Sequence, residues 1–444
     1  GNIYSVNGAV AGGQAYEVMS GTSMAAPQVA GMAALVAQYI RENGLKEKTG
    51  VSVRHLAQSL LMSTAEPVYD ASTKSWYSIL RQGAGLANVS NAIHAESYVL
   101  VNGQPDGKVK VELGDDPDRT GVYSADFTLN NLTDEAIEYT LSADVFTQAP
   151  VSSEGVLYLL PKTVSMAANV VWTVDGKVLT APSELTAYDF DKDGDTDADD
   201  AQLLLDDVTA GAGKLKADVD GDGDTDTHDV SELLKLISAA KVVLPADGSI
   251  SVHVTFSLID EEKEFLDAYY TNGAYVEAFL YANPVSAEDG VERVSHSIPV
   301  LGFYGNWSDA SMFDVGSRME YLTGEETRAP YLGDMKGNAA VVAYGESSQT
   351  AYFGGNPVVP DERYLPERNA INSENGDQIT QLQFVLIRNA AATRVSAKNL
   401  TKDRVIMQSE QGAVASAFYF TNGGYWMNTN YRLNTKFLPK GAAE

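Results

Sequence analysis

The stretch Gly21-Thr22-Ser23-Met24-Ala25-Ala26-Pro27 opens a run in which Ala30, Gly31, Ala33, Ala34 and Ala37 alternate with Met32, Leu35 and Val36. Side chains this small let neighbours approach a helix closely, so the run is expected to form a helix buried on all sides. A Gly-Thr turn ahead of that helix holds the hydroxyl of Ser23 at its start. There the first N–H groups have no intrahelical acceptor, and the helix dipole favours developing negative charge. Ser23 is therefore a candidate nucleophile, with its own backbone N–H as one oxyanion donor. Pro27 is expected in the first turn, where its missing N–H costs little. The same pattern also fits a plain Ser/Thr cap before a core helix.

Seven consecutive residues at Gly21–Pro27, with Leu60-Leu61-Met62-Ser63-Thr64-Ala65 and Gln82-Gly83-Ala84-Gly85-Leu86-Ala87-Asn88-Val89 downstream, resemble the nucleophile segment and the closing segment of cell-envelope subtilases. Gln28 departs from that pattern, in which a histidine follows the proline, but that histidine is not the catalytic one. The resemblance implies a serine endopeptidase working through an acyl-enzyme on a protein or peptide substrate, outside the cell or at the surface of a Gram-positive bacterium. Subtilases place their triad in the order Asp, His, Ser. The twenty-two residues before Ser23 contain neither Asp nor His, and His55, His94, His228, His253 and His296 all follow it. The oxyanion asparagine of the family also belongs upstream. His55 and His94 read as helix-surface residues. In subtilisin itself, loss of the histidine or serine lowers turnover about a million-fold, so these 444 residues alone are expected to be inactive, as the C-terminal part of a protease.

The 31 basic and 60 acidic side chains leave a net charge of −29, which argues against nucleic acid and anionic membranes as partners. With no cysteine, stability outside the cell has to come from packing or metal ions. No apolar run is long enough to span a bilayer, and the length allows several domains.

The expected fold class is multi-domain. Residues 1–97 read as the C-terminal part of an α/β subtilisin-like domain, with a helix over Val51–Met62. Residues 98–309 read as an antiparallel β-sandwich, because short alternating runs such as Val109–Leu113, Ser124–Leu129, Ile137–Leu141 and Ser251–Phe256 are separated by Gly, Asn and Asp turns. The segments Phe127–Thr133, Leu244–Val254 and Pro299–Trp307 resemble the fibronectin-III-like domain that follows the catalytic domain in lactocepins and C5a peptidases. Residues 310–444, with runs at Ala340–Tyr344, Leu382–Ile387 and Ala417–Phe420, read as a second, shortened sandwich-like domain. Asn372–Asp377 reads as a polar turn or as a loop of the same proteases.

An insertion at 186–240 carries a repeated acidic loop. Asp189, Asp191, Asp193, Asp195, Asp197 and Asp200 recur as Asp218, Asp220, Asp222, Asp224, Asp226 and Asp229. Oxygens at this spacing encircle Ca²⁺ in EF-hand loops, with a glycine, here Gly194 and Gly223, making the sharp turn. Neighbouring carboxylates about 4 Å apart repel by about 4 kcal/mol at an effective dielectric near 20, so such crowding opposes folding without a cation. Two Ca²⁺ sites are expected. The closing Asp in place of Glu, and the helix after each loop, resemble dockerin type I modules, which implies a cohesin-like partner. At the partner-reading positions the loops carry Ala198-Asp199 and Thr227-His228, which depart from the Ser-Thr type. A stiffening insertion is the favoured reading. The competing function for the chain is a calcium-dependent adhesion or docking protein.

Overall fold

A computed structural model describes residues 3–7, 16–70, 72–73, 75–153, 156–179, 185–285 and 293–309, together with 339–343, 350–352, 378–384, 390–400, 402–412 and 427–429. It divides into two units, Gly1–Trp307 and Ser308–Glu444.

The first unit begins with a hairpin, β1 (Ile3–Val6) and β2 (Tyr16–Met19), leading into helix α1 (Thr22–Glu42). Then come α2 (Leu45–Thr49), α3 (Val53–Ser63), the short pair β3 (Tyr69–Asp70) and β4 (Ser75–Trp76), α4 (Ile79–Gln82) and α5 (Val89–His94). Ser52 caps α3 by accepting the N–H of His55, and the expected helix lies within one or two residues of its observed bounds. Val36, Ile40, Leu56, Leu60 and Ala92 pack into one small core. Gly85 passes so close to Glu66 that a β-carbon there would sit 2.2 Å from the Glu66 carbonyl oxygen.

Two expectations about α1 are corrected. Pro27 lies inside the helix, past its first turn, because the cap is Gly21. Its missing N–H leaves the Ser23 carbonyl without the usual donor four residues on. Burial on all sides is also not observed: only Val36 and Ile40 of α1 are buried, while Val29 and Leu35 are about half exposed, at 46% and 56%.

The chain then builds two sheets. Its strands are β5 (Ser97–Val101), β6 (Val111–Asp116), β7 (Val122–Asn131), β8 (Ile137–Ser153), β9 (Val156–Ser165), β10 (Ala168–Val174) and β11 (Lys177–Val178). After helices α6 (Ala198–Thr209) and α7 (Thr227–Ile237) come β12 (Ala240–Leu244), β13 (Ser249–Leu258), helix α8 (Asp260–Tyr269), β14 (Ala274–Pro284) and β15 (His296–Tyr304). One sheet runs β11-β10-β13-β7-β5, the other β12-β8-β14-β15-β6, with β9 also paired to β8. All pairings are antiparallel except that of β15 with β6. Phe127, Leu129, Val252, Val254 and Trp172 of the first sheet share one hydrophobic cluster with Tyr139, Leu141, Val276, Ala278 and Val300 of the second. The segments Phe127–Thr133 and Leu244–Val254 become neighbours, with Phe127 opposite Val252.

The second sheet is covered on its other face as well. Asp144, Phe146, Glu277 and Phe279 alternate with the residues of the shared core and are all fully buried. Trp76 packs edge-on to Phe279, and Ser78 donates to Glu277. Trp76 and Ser78 thus lie against the sheet, and the first ninety-odd residues and the two-sheet body form one unit.

In the second unit, β16 (Ala339–Ala343), β17 (Thr350–Tyr352), β18 (Gln378–Phe384) and β21 (Met427–Thr429) form a sheet in the order β17-β16-β18-β21, and β19 (Thr393–Asn399) pairs with β20 (Arg404–Gln411). Tyr344, the stretch 385–387, Asn372–Asp377 and Ala417–Phe420 lie outside the described residues. Among the described residues no helix is long and apolar enough to cross a membrane.

Candidate functional site

Gly21 caps α1 with φ +144°, a backbone state that favours glycine, and its carbonyl accepts the N–H groups of Met24 at 3.0 Å and Ala25 at 3.1 Å. Thr22 and Ser23 are the first two helical residues, so their N–H groups have no intrahelical acceptor. Both side chains are exposed. A hydroxyl and free amides therefore sit side by side where the helix dipole attracts an anion.

Among the described residues no histidine is hydrogen-bonded to Ser23. His94 Nδ1 lies 2.8 Å from the Ser90 carbonyl oxygen, and His253 Nδ1 lies 2.9 Å from Asp126 Oδ1. His228 Nδ1 lies 2.7 Å from Asp220 Oδ2. His296 is buried, 2.7 Å from Ser97 Oγ and 2.9 Å from Ser63 Oγ, and burial lowers its pKa to about 4. His55 lies on α3. The Ser23 hydroxyl thus has no imidazole partner among the described residues.

The acidic loops flank α6 and α7, whose apolar faces (Leu204, Leu205, Leu233 and Leu234) form a core of their own with Ala167 and Ile259. Asp189, Asp191 and Asp200 bring one carboxylate oxygen each within 4.8 Å of one another, and Asp218, Asp220 and Asp229 do the same. Asp222, Asp224 and Asp226 form a further group of this kind. Among the described residues Asp193, Asp195 and Asp197 are not drawn into such a group. In both loops the backbone curls round the carboxylates: Asp193 N–H donates to Asp191 at 2.9 Å, and Asp222 N–H donates to Asp220 at 2.9 Å.

The closing aspartates do double duty. Asp200 accepts from the N–H groups of Asp191 at 3.1 Å and Asp197 at 3.0 Å, while Asp229 accepts from those of Val219 at 2.6 Å and Asp226 at 2.7 Å. Each is the third residue of its helix and part of a capping box, so loop closure and helix start are one structure. Asp193 beside it, followed by burial and by Asp197, pushes the carboxyl of Asp195 above the usual range. Asp189 Oδ1 is a buried oxygen with no hydrogen-bond partner. An all-oxygen donor set with like-charge crowding and one unmatched buried oxygen suits a hard divalent cation.

Several contacts are absent from the sequence reading. Trp76 Nε1 donates to Asp144 Oδ2 at 2.6 Å, and Ser231 Oγ donates to the same carboxylate. Glu277 accepts from Ser78 Oγ at 2.8 Å and from the N–H of Ile79. The signal for both was a charged residue inside an alternating strand with aromatic residues two positions away, Phe146 and Phe279.

Residues 2–93 match the subtilase family. The chain is 23% identical to the PI-type proteinase of Lactococcus lactis subsp. cremoris over 97% of its own length and 19% of that protein's. It is 31% identical to a PII-type proteinase of the same subspecies over 89% of this chain and 16% of that one. To a C5a peptidase of Streptococcus pyogenes it is 31% identical over 38% of this chain and 13% of that one. It thus spans less than a fifth of the length of these relatives. Among solved structures, a family 123 glycoside hydrolase from Clostridium perfringens matches 47% of this chain and 27% of that one, with 6% identity and a TM-score of 0.22.

Proposed function

We propose that this chain, whose residues 2–93 carry a subtilase segment, is part of an extracellular or cell-surface serine endopeptidase in which Ser23 attacks the scissile carbonyl. The observation that carries the reading is an exposed hydroxyl beside the free amides at the start of α1. As Ser23 Oγ bonds to the carbonyl carbon, negative charge moves to the carbonyl oxygen, where the Ser23 N–H and the helix dipole stabilise it. The hydroxyl proton needs an acceptor, and the hydrogen bonds of this chain's histidines lead elsewhere. The base, its orienting carboxylate and a side-chain oxyanion donor are assigned to residues outside these 444. Joining the chain to the sequence encoded immediately upstream is expected to give peptidase activity on an unfolded protein, falling about a million-fold in Ser23→Ala. Activity that survives the substitution contradicts the role.

The two-sheet body is read as a fibronectin-III-like sandwich that supports the protease segment. The acidic loops are read as two Ca²⁺ sites, with Asp189, Asp191, Asp193, Asp195, Asp197 and Asp200 supplying the first and Asp218, Asp220, Asp222, Asp224, Asp226 and Asp229 the second. Bound calcium supplies positive charge that relieves the repulsion among these carboxylates and stiffens each loop against its helix.

A stiffening role is favoured over docking to a cohesin-like partner. Ala198 is fully buried in the core of the insertion, and the ring of His228 stacks on Tyr69 with centroids 4.3 Å apart, so two of the four partner-reading positions are occupied within the chain. Calcium-dependent capture of a purified cohesin would reverse this preference.

A further inference from the structure

We propose that calcium loading of the second acidic loop, and not of the first, fixes the β3–β4 hairpin of the subtilase segment through helix α7. This rests on reading the loops as calcium sites and adds what the second one controls.

Asp229 ties the second loop to the first turn of α7, since its carboxylate accepts from Val219 and Asp220 in the loop and from Asp226 at the cap. His228 lies on that same turn. Its Nδ1 is 2.7 Å from Asp220 Oδ2, and its ring stacks on Tyr69 at an interplanar angle of 30°. One turn further, Ser231 Oγ donates to the buried Asp144, the carboxylate that also receives Trp76 Nε1. Another turn on, Lys235 Nζ lies over the Trp76 ring, 5.1 Å from its centroid, and over the Tyr281 ring at 5.3 Å. His228, Ser231 and Lys235 are spaced three and four apart, so one stripe of α7 meets both strands of the hairpin, where Tyr69 pairs with Trp76.

The first loop has no such line. The residues of α6 that correspond to His228, Ser231 and Lys235 are Asp199, Gln202 and Asp206. Asp199 is exposed, and the half-buried Gln202 donates to Asp206 of its own helix at 2.9 Å, so neither is bonded to the hairpin. A cation that orders Asp220 and Asp229 holds His228 on Tyr69 and the α7 stripe on Trp76. A cation in the first loop orders α6 within the core it shares with α7, Ala167 and Ile259, away from the hairpin.

The test uses the full 444-residue chain. Isothermal calorimetry with Ca²⁺ counts the sites, and hydrogen–deuterium exchange follows peptides covering residues 66–78 in Ca²⁺ and in EDTA. Calcium is expected to slow exchange there about fivefold or more in the parent chain and in Asp189→Asn, and to leave it unchanged in Asp218→Asn. Coupling is reciprocal, so Tyr69→Ala is expected to weaken one of the two calorimetric sites by about fivefold and spare the other. That arm decides the matter if Asp218→Asn does not fold. Calcium uptake with unchanged exchange in 66–78, or equal protection in both loop variants, overturns the coupling and leaves the calcium reading standing. Absence of calcium uptake overturns both.

Discussion

Two buried titratable side chains give the first unit opposite responses to acid. Glu262 is buried with its carboxylate accepting the Ala167 N–H at 2.8 Å, and desolvation raises its pKa from 4.5 to about 7. The native state then holds the extra proton between those values, so this group's contribution to stability is present below pH 4.5 and is lost as pH rises to about 7. His296 behaves in the other sense: desolvation lowers its pKa from 6.5 to about 4, and its contribution is lost as pH falls through that interval. Each is worth roughly 3 kcal/mol at full extent, so the two largely offset. Glu262→Gln, followed by urea unfolding at several pH values, is expected to lose about 3 kcal/mol relative to the parent between pH 7.5 and 4.5. Stability curves that run parallel would show that Glu262 titrates normally. Glu277 makes a different prediction. Truncation to Ala leaves Ser78 Oγ and the Ile79 N–H without their buried acceptor, and a loss of about 3 kcal/mol in the same assay is expected. A loss under about 0.5 kcal/mol, typical of surface changes, contradicts the clamp.

The helices and the acidic loops were legible because their signals are local. The apolar spacing over Val51–Met62 marks α3, and the repeated Asp spacing with Gly194 and Gly223 marks both loops and the helices after them, while the capping roles of Ser52, Asp197 and Asp226 emerge only from the structure. Gly223 has φ +97°, so Gly223→Val strains the second loop where the chain turns most sharply. Chelation with EDTA is expected to lower the melting temperature of the parent chain, and to lower it less in Gly223→Val, whose second loop is already impaired. Equal melting with and without chelator would remove calcium from the account. The exposure of α1 was not legible. Its small residues specify that something can pack closely, but composition does not say whether that neighbour belongs to the same 444 residues. Ala25, Ala26, Val29 and Leu35 are exposed here.

The larger arrangement depends on contacts between distant segments. Alternation in β8 and β14 shows two faces, but the partners of Asp144 and Glu277, Trp76 and Ser78, are far off in sequence, so nothing local marks that second face as covered. The boundary near residue 97 marks a change of secondary structure but not a break in packing. A piece comprising 98–309 would expose Phe146 and Phe279, strand the carboxylate of Glu277 and leave Asp144 with Ser231 but without Trp76. It is expected to melt about 10 °C or more below a 1–307 piece, or to aggregate. Coincident melting of the two pieces would show that residues 69–79 add nothing to the sheet. The central claim concerns one hydroxyl, and covalent labelling reads it directly. In the full-length protein a fluorophosphonate probe, with its adduct mapped by mass spectrometry, is predicted to modify Ser23 and to label nothing in Ser23→Ala. An adduct on any other residue, or labelling that persists in the variant, would contradict the assignment.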